Sequence, residues 1–144
     1  MTNKIKSSNK LIDNKLADCR QTKTRRGVLL VLENSQPLAA PEILARLKEN
    51  NVVVNKTTVY RELDFLLSKK VIAAVILKDG LKRYELQASE HGHHLICLQC
   101  QKIERVALDN DLDKQEKAIT RSRGFKVLNH SLEFYGLCRH CVKK

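Results

Sequence analysis

Within residues 91–100 the chain places three histidines and two cysteines: His91, His93, His94, Cys97 and Cys100. These are five potential ligands for a divalent metal, one more than a tetrahedral zinc ion takes. A second Cys-x-x-Cys pair, Cys138 and Cys141, follows after 37 intervening residues. Each pair has the spacing of a tight turn that aims two thiolates at one point, and two such turns can build a closed four-thiolate zinc site. A closed site has no open coordination position, so its work is to hold the fold, here with one zinc ion per chain. Redox or spectator thiols and an iron tetrathiolate are the competing readings of the same spacing. Cys19 has no partner at motif spacing and reads as a plain thiol.

With the cysteines committed, the histidines must serve something else. They lead into a strand, and side chains alternate along a strand, so His91 and His93 share one face while His94 points to the other. His91 and His93 are therefore candidate ligands of a second site. Its remaining ligands have to come from distant sequence, where His130 and the acidic residues Asp109, Asp111 and Asp113 are the obvious suppliers. Mixed imidazole and carboxylate ligation suits zinc, iron(II) or manganese(II). His140 reads as an ordinary histidine. There is no H-E-x-x-H, no deaminase signature and no nucleophile with an evident base, which argues against an enzyme with a small-molecule substrate.

Such ligands need elements to position them. A chain of 144 residues makes one ordinary domain or two small ones. With no tryptophan and 4% aromatic residues, its core must be mostly Leu, Val and Ile. Residues 11–21 suggest a short helix. Residues 22–35 suggest a better one, with Thr22 or Thr24 as cap and Val28, Leu29 and Leu32 as its apolar stripe. After a break at residues 35–38 comes a second helix, with Pro41 in its first turn and Ile43, Leu44 and Leu47 inward. The third, residues 55–70, opens on Asn55 and buries Val59, Leu63, Leu66 and Leu67. Its other face carries Lys56, Thr57, Tyr60, Arg61 and Asp64. Two strand-like runs around Asp79-Gly80 then predict a hairpin. Three helices and a hairpin describe a winged helix, whose third helix enters the DNA major groove.

From His91 onward the pattern changes: two strands around the first cysteine turn, a helix over residues 109–123 stopped by Gly124, one or two strands, and the closing cysteine pair. The expected fold is therefore α+β. A winged-helix DNA-binding domain with the N-terminal region spans residues 1–88, and a smaller α/β domain with the four-cysteine site spans 89–144. The charge follows this division. Residues 1–88 carry 17 Lys/Arg against 9 Asp/Glu, a surplus of 8, and residues 89–144 carry 10 against 7, a surplus of 3. A basic half attracts polyanions, of which nucleic acid is the commonest in cytoplasm. No apolar run approaches the ~18–20 residues of a membrane span, and the start MTNKIKSSNK has no apolar core, so the expected place is the cytoplasm, with no membrane partner.

The motifs KTTVYRELDFL, KRYEL, HGHHLICLQC, NHSLEFYGLC and CRHC, in this order, resemble the ferric uptake regulator family over roughly residues 22–141. The resemblance implies dimeric, metal-sensing repressors whose winged helices bind a palindromic operator and whose C-terminal α/β domain dimerises. It implies that Cys97, Cys100, Cys138 and Cys141 hold structural zinc. Tyr60 and Arg61 take the places of DNA-contacting residues, in a set with Lys56, Thr57 and Thr58. His91, His93 and His130 match ligands of a regulatory metal, Zn(II) or Fe(II), with Asp113 as the acidic ligand if one inserted residue is assumed, and Asp111 as the alternative. A second regulatory site survives only as Glu85 and His94, with Glu104 beside its acidic position. Gln36 and Pro37 stand in the loop that usually supplies a histidine, and Gly92 and Arg105 take two other ligand places.

The expected function is a metal-responsive repressor of metal-homeostasis genes, a homodimer on an inverted-repeat DNA operator, with zinc slightly ahead of iron as effector. Two alternatives accompany it. One is a peroxide sensor of the same fold, in which iron drives oxidation of its own ligands. The other is a zinc-stabilised interaction module without DNA binding.

Overall fold

The computed structural model describes residues 10, 12–33, 35–88, 92–108 and 112–143. The chain forms two compact units, Met1–Ser89 and Glu90–Lys144.

In the first unit, residues 12–16 are helical and place Leu16 in the core, a shorter element than residues 11–21 suggest. Helix α1, Lys23–Glu33, starts where the Thr22 hydroxyl accepts the Arg25 N–H at 3.0 Å. Its buried stripe is Val28, Val31 and Leu32, with Leu29 only half-buried. Helix α2, Ala40–Glu49, has Pro41 in its first turn, and the Glu42 carboxylate accepts the Ala39 N–H. The two helices approach closely at Gly27, where a Cβ would stand 2.7 Å from Leu47 Cδ2. Helix α3, Lys56–Ser68, is capped by Asn55, whose side chain accepts the Thr58 N–H, and it buries Val59, Leu63 and Leu66.

The hairpin follows as β2, Ile72–Ile76, and β3, Lys82–Leu86, paired antiparallel with Ala74 opposite Tyr84. Its turn is tied by Asp79, which accepts the Leu81 N–H and two bonds from the Arg83 guanidinium. Those donors hold the Asp79 carboxyl down to about 2. Leu38–Ala39, within and just after the segment expected to break the pattern, forms a short strand, β1, on the far edge of β3. Two residues are too few to show a period. Three helices with a three-stranded wing make this unit a winged helix.

A buried charge holds α1 against α3. Arg25 lies 8% exposed, its guanidinium bonded to Glu62 and to the Arg20 carbonyl and stacked 4.0 Å from the Phe65 ring centre. Removing one partner of such a pair strands a charge away from water, at about 3–5 kcal/mol. Urea unfolding should therefore show Glu62→Ala destabilised by roughly that amount. A variant unfolding like the wild type would mean that the pair is in effect solvated.

The second unit is a three-stranded sheet ordered β5-β4-β6. Strand β4, His93–Cys97, pairs antiparallel with β5, Ile103–Val106, and parallel with β6, Glu133–Gly136. Between β5 and β6 lies helix α4, Asp113–Arg123, stopped by Gly124 in the left-handed region at φ 60°. Asp113 and Glu116 lie in its first turn and Arg121 and Arg123 in its last, the distribution that a helix dipole favours. None of its residues is buried. Among the described residues no helix is long and apolar enough to cross a membrane.

Candidate functional site

Strand β4 delivers the first cysteine pair. Cys97 ends the strand, and a turn closed by the Gln101 N–H on the Cys97 carbonyl, with Gln101 at φ 61°, presents Cys100. Strand β6 delivers the second: the Leu98 N–H bonds to the Gly136 carbonyl, and the chain runs on to Cys138 and Cys141. All four sulfur atoms lie within 4.8 Å of one another, and Cys100 Sγ and Cys138 Sγ are 3.7 Å apart. A tetrahedral ion with metal–sulfur bonds of about 2.3 Å sets sulfurs roughly 3.8 Å apart, so the donor set fits a four-thiolate metal.

The backbone prepares these sulfurs unequally. N–H groups of Cys100 and Cys138 aimed at Cys97 hold its thiol down to about 6, with Cys138 N 3.3 Å from the sulfur. The Cys138 thiol is lowered in the same way, chiefly by the Cys141 N–H. Desolvation pushes Cys141 up to about 12, with hydrogen bonding to the neighbouring thiols adding to the rise. Four thiolates this close need a cation between them.

The histidines form a separate group. His93 is 2% exposed, and its ring centre lies 5.5 Å from that of His130. His130 Nδ1 is 2.6 Å from a carboxylate oxygen of Glu116. Asp113, one turn earlier on α4, is exposed. Glu116 is thus the carboxylate that reaches His130, and no motif spacing pointed to it; the available signal was its place one helical turn after Asp113. His91, Asp109 and Asp111 lie outside the described residues. Among the described residues, the four thiols are the only group of three or more ligands gathered within 4.8 Å.

Of the residues named for a second regulatory site, His94 and Glu104 do not share a face. His94 is buried and stands opposite Arg105 in the β4–β5 ladder, whereas Glu104 stands opposite Leu95 and projects from the other side of the sheet. Glu104 is bound there to Lys102, whose ammonium lowers the carboxyl in turn. Glu85 belongs to β3 of the first unit, half-buried opposite Ala73.

On α3, Lys56, Thr57, Thr58, Tyr60 and Arg61 are all exposed, with Val59 buried behind them. The Lys56 ammonium lies 5.7 Å from the Tyr60 ring centre, so cation and aromatic face form one surface.

The family model of the Ferric uptake regulator family matches residues 17–135. The chain belongs to the ferric uptake regulator family. Among curated relatives, a ferric uptake regulation protein of Bacillus subtilis (strain 168) is 34% identical over 121 residues, covering 81% of this chain and 80% of its own. One of Legionella pneumophila is 32% identical over 127 residues, covering 87% and 93%. The ferric uptake regulator of Helicobacter pylori, a solved structure described as revealing three functional metal-binding sites, superposes with a TM-score of 0.73 at 25% identity. That match covers 97% of this chain and 95% of the other. As a ferric uptake regulator family member the chain is a metal-responsive transcription regulator, and the four thiols of its second unit are a donor set already gathered for a metal.

Proposed function

We propose that this protein is a cytoplasmic, metal-responsive repressor that binds a palindromic DNA operator as a homodimer. Residues 1–88 are the DNA-binding part, with Lys56, Thr57, Thr58, Tyr60 and Arg61 as the reading face. Residues 89–144 dimerise and carry the metals. The observation that supports this most is the separation of two unlike ligand groups in one small unit: four thiols already gathered, and the pair His93 and His130 with Glu116 apart from them. The thiols hold structural zinc, one ion per chain. His91, His93 and His130, with a carboxylate from the start of α4, hold the exchangeable ion.

Dimerisation is supported by what the second unit leaves uncovered. Leu95, Ile119, Phe125, Phe134 and Leu137 are all 37% or more exposed, and α4 buries nothing. Leu95 and Phe134 are ladder partners on one sheet face; exposed apolar surface of this kind marks an interface, and a second copy would cover it. An operator read by such a dimer has inverted half-sites.

Metal occupancy acts by ordering the dimer before it meets DNA, so that less entropy is lost on binding. For a nitrogen and oxygen ligand set the intrinsic order runs from iron(II) to zinc, so Zn(II) should bind more tightly in vitro. The relatives' ferric names make Fe(II) the necessary comparison.

Titration of protein retaining its thiolate-bound metal tests the site. His130→Ala and Glu116→Ala should each weaken Zn(II) at the exchangeable site by at least about 10-fold, and Asp113→Ala should weaken it less. Unchanged binding in both His130→Ala and His93→Ala would remove this site from the account.

A further inference from the structure

Lys23, Arg26 and Leu30 fall at i, i+3 and i+7 and so share one face of α1. Gly27, on the same face, has no side chain, which lets α1 lie against Leu47 and Val52 of the neighbouring segment. Along that seam is a groove of about 860 Å³, lined also by Arg46, Glu49 and Asn50 at the end of α2. Its apolar lining is Val31 and Val52, both buried, and Leu30, which is 61% exposed.

Two of the cations stand against the local field. Lys23 and Arg26 lie in the first turn of α1, where the helix dipole disfavours positive charge, and that turn holds no carboxylate. Arg25 between them is taken up by Glu62. Among the described residues, Lys23, Arg26 and Arg46 form no ion pair. An apolar groove edged by such cations matches a segment that carries carboxylates beside apolar side chains. A phosphodiester backbone matches less of it, since it offers nothing to Leu30 and is repelled by Glu49. The exposed residues of α3 do not line the groove. A second copy, with a net charge of +11, matches the cations poorly.

We propose that the α1–α2 groove of the winged helix docks an acidic, amphipathic segment of a partner protein. Its carboxylates pair with Lys23, Arg26 and Arg46, and its apolar side chains cover Leu30 and the two valines. Glu49 accepts N–H donors from the docked segment. This goes beyond the proposed function, because it gives the first unit a protein-binding face besides the one that reads DNA.

The test uses whole protein that keeps its thiolate-bound metal. The ligand is a fluorescein-labelled helical peptide of about 15 residues, with leucines on one face and glutamates beside them. A scrambled peptide of equal composition, its leucines spread round the helix, is the comparison. The amphipathic peptide should bind at about 100 μM or tighter, and the scrambled one about 10-fold more weakly. Leu30→Gln should cost about 10-fold in peptide affinity. It should leave binding to an A/T-rich palindromic duplex within about twofold, because it changes no charge. Arg26→Gln with Arg46→Gln should weaken the peptide by a similar factor, and by less at high salt. Equal binding of the two peptides, or of wild type and Leu30→Gln, would overturn the proposal. So would a Leu30→Gln protein that melts like wild type, keeps the peptide and loses the duplex, which assigns the groove to DNA. Assemblies larger than a dimer in the wild type that Leu30→Gln dissolves would assign it to a second copy instead. If Leu30→Gln does not fold, the two peptides and the arginine variants decide.

Discussion

Replacing Cys100 by serine is expected to release the thiolate-bound metal and to unfold Glu90–Lys144 while the winged helix persists. A serine hydroxyl keeps the shape of the thiol but is not deprotonated to serve as a fourth ligand. The size of the effect follows from how little else holds this unit. Among its described residues the buried hydrophobics are Ile96, Cys97 and Ile103, joined by His93 and His94, and α4 contributes none. Two isoleucines supply roughly 3–6 kcal/mol of burial, far below the entropy cost of ordering some fifty residues. A structural zinc site is worth about 10–16 kcal/mol in small metal-folded domains, so the metal decides whether the unit folds. Met1–Ser89, by contrast, has a core of its own running from Leu16 to Tyr84. Amide NMR spectra should lose the dispersed signals of residues 92–143 and keep those of α1 to α3, and sedimentation should show loss of the dimer. A serine variant that retains dispersed signals and dimer mass would show that the thiols are not the anchor.

The second large effect is expected on DNA. Arg61→Ala should weaken binding to an inverted-repeat operator by about 1–3 kcal/mol per half-site, as for loss of a guanidinium contact to guanine or phosphate. Over two half-sites this is roughly 2–6 kcal/mol, or from about 30-fold to about 25,000-fold. The fold should be indifferent, because Arg61 is exposed while the stripe behind it is Val59, Leu63 and Leu66. Fluorescence anisotropy at one fixed salt concentration measures the loss. Unaltered affinity in Arg61→Ala would remove Arg61 from the reading face, and a wild type that binds no duplex would favour the interaction module.

What the sequence disclosed and what it hid divide along physical lines. Local rules were legible: Asn55 caps α3, the 3.6-residue stripe buries Val59, Leu63 and Leu66 while Leu67, expected with them, is half-buried, and Asp79-Gly80 turns the hairpin. The two Cys-x-x-Cys turns were legible as well, since each is a local shape, and the fold joins them through the β4–β6 pairing. Long-range choices were not. Nothing local marks Arg25 for burial, since its partner Glu62 lies 37 residues away. Glu116 meets His130 only because of where α4 comes to lie. Leu38–Ala39 is too short to carry a period, and its strand exists because β3 offers an edge. Glu104 stands one residue from the family's acidic position, and that single step sets it on the opposite side of the sheet from His94.

The central claim is that an exchangeable metal controls DNA binding. Its most direct test is the affinity of chelator-treated dimer, with the thiolate-bound metal verified as retained, for an A/T-rich palindromic duplex with and without added Zn(II), repeated with Fe(II). A coupling of about 1–3 kcal/mol predicts tighter binding by roughly 5- to 150-fold in the presence of metal. Equal, tight binding in both states would contradict metal control and leave a constitutive DNA-binding protein.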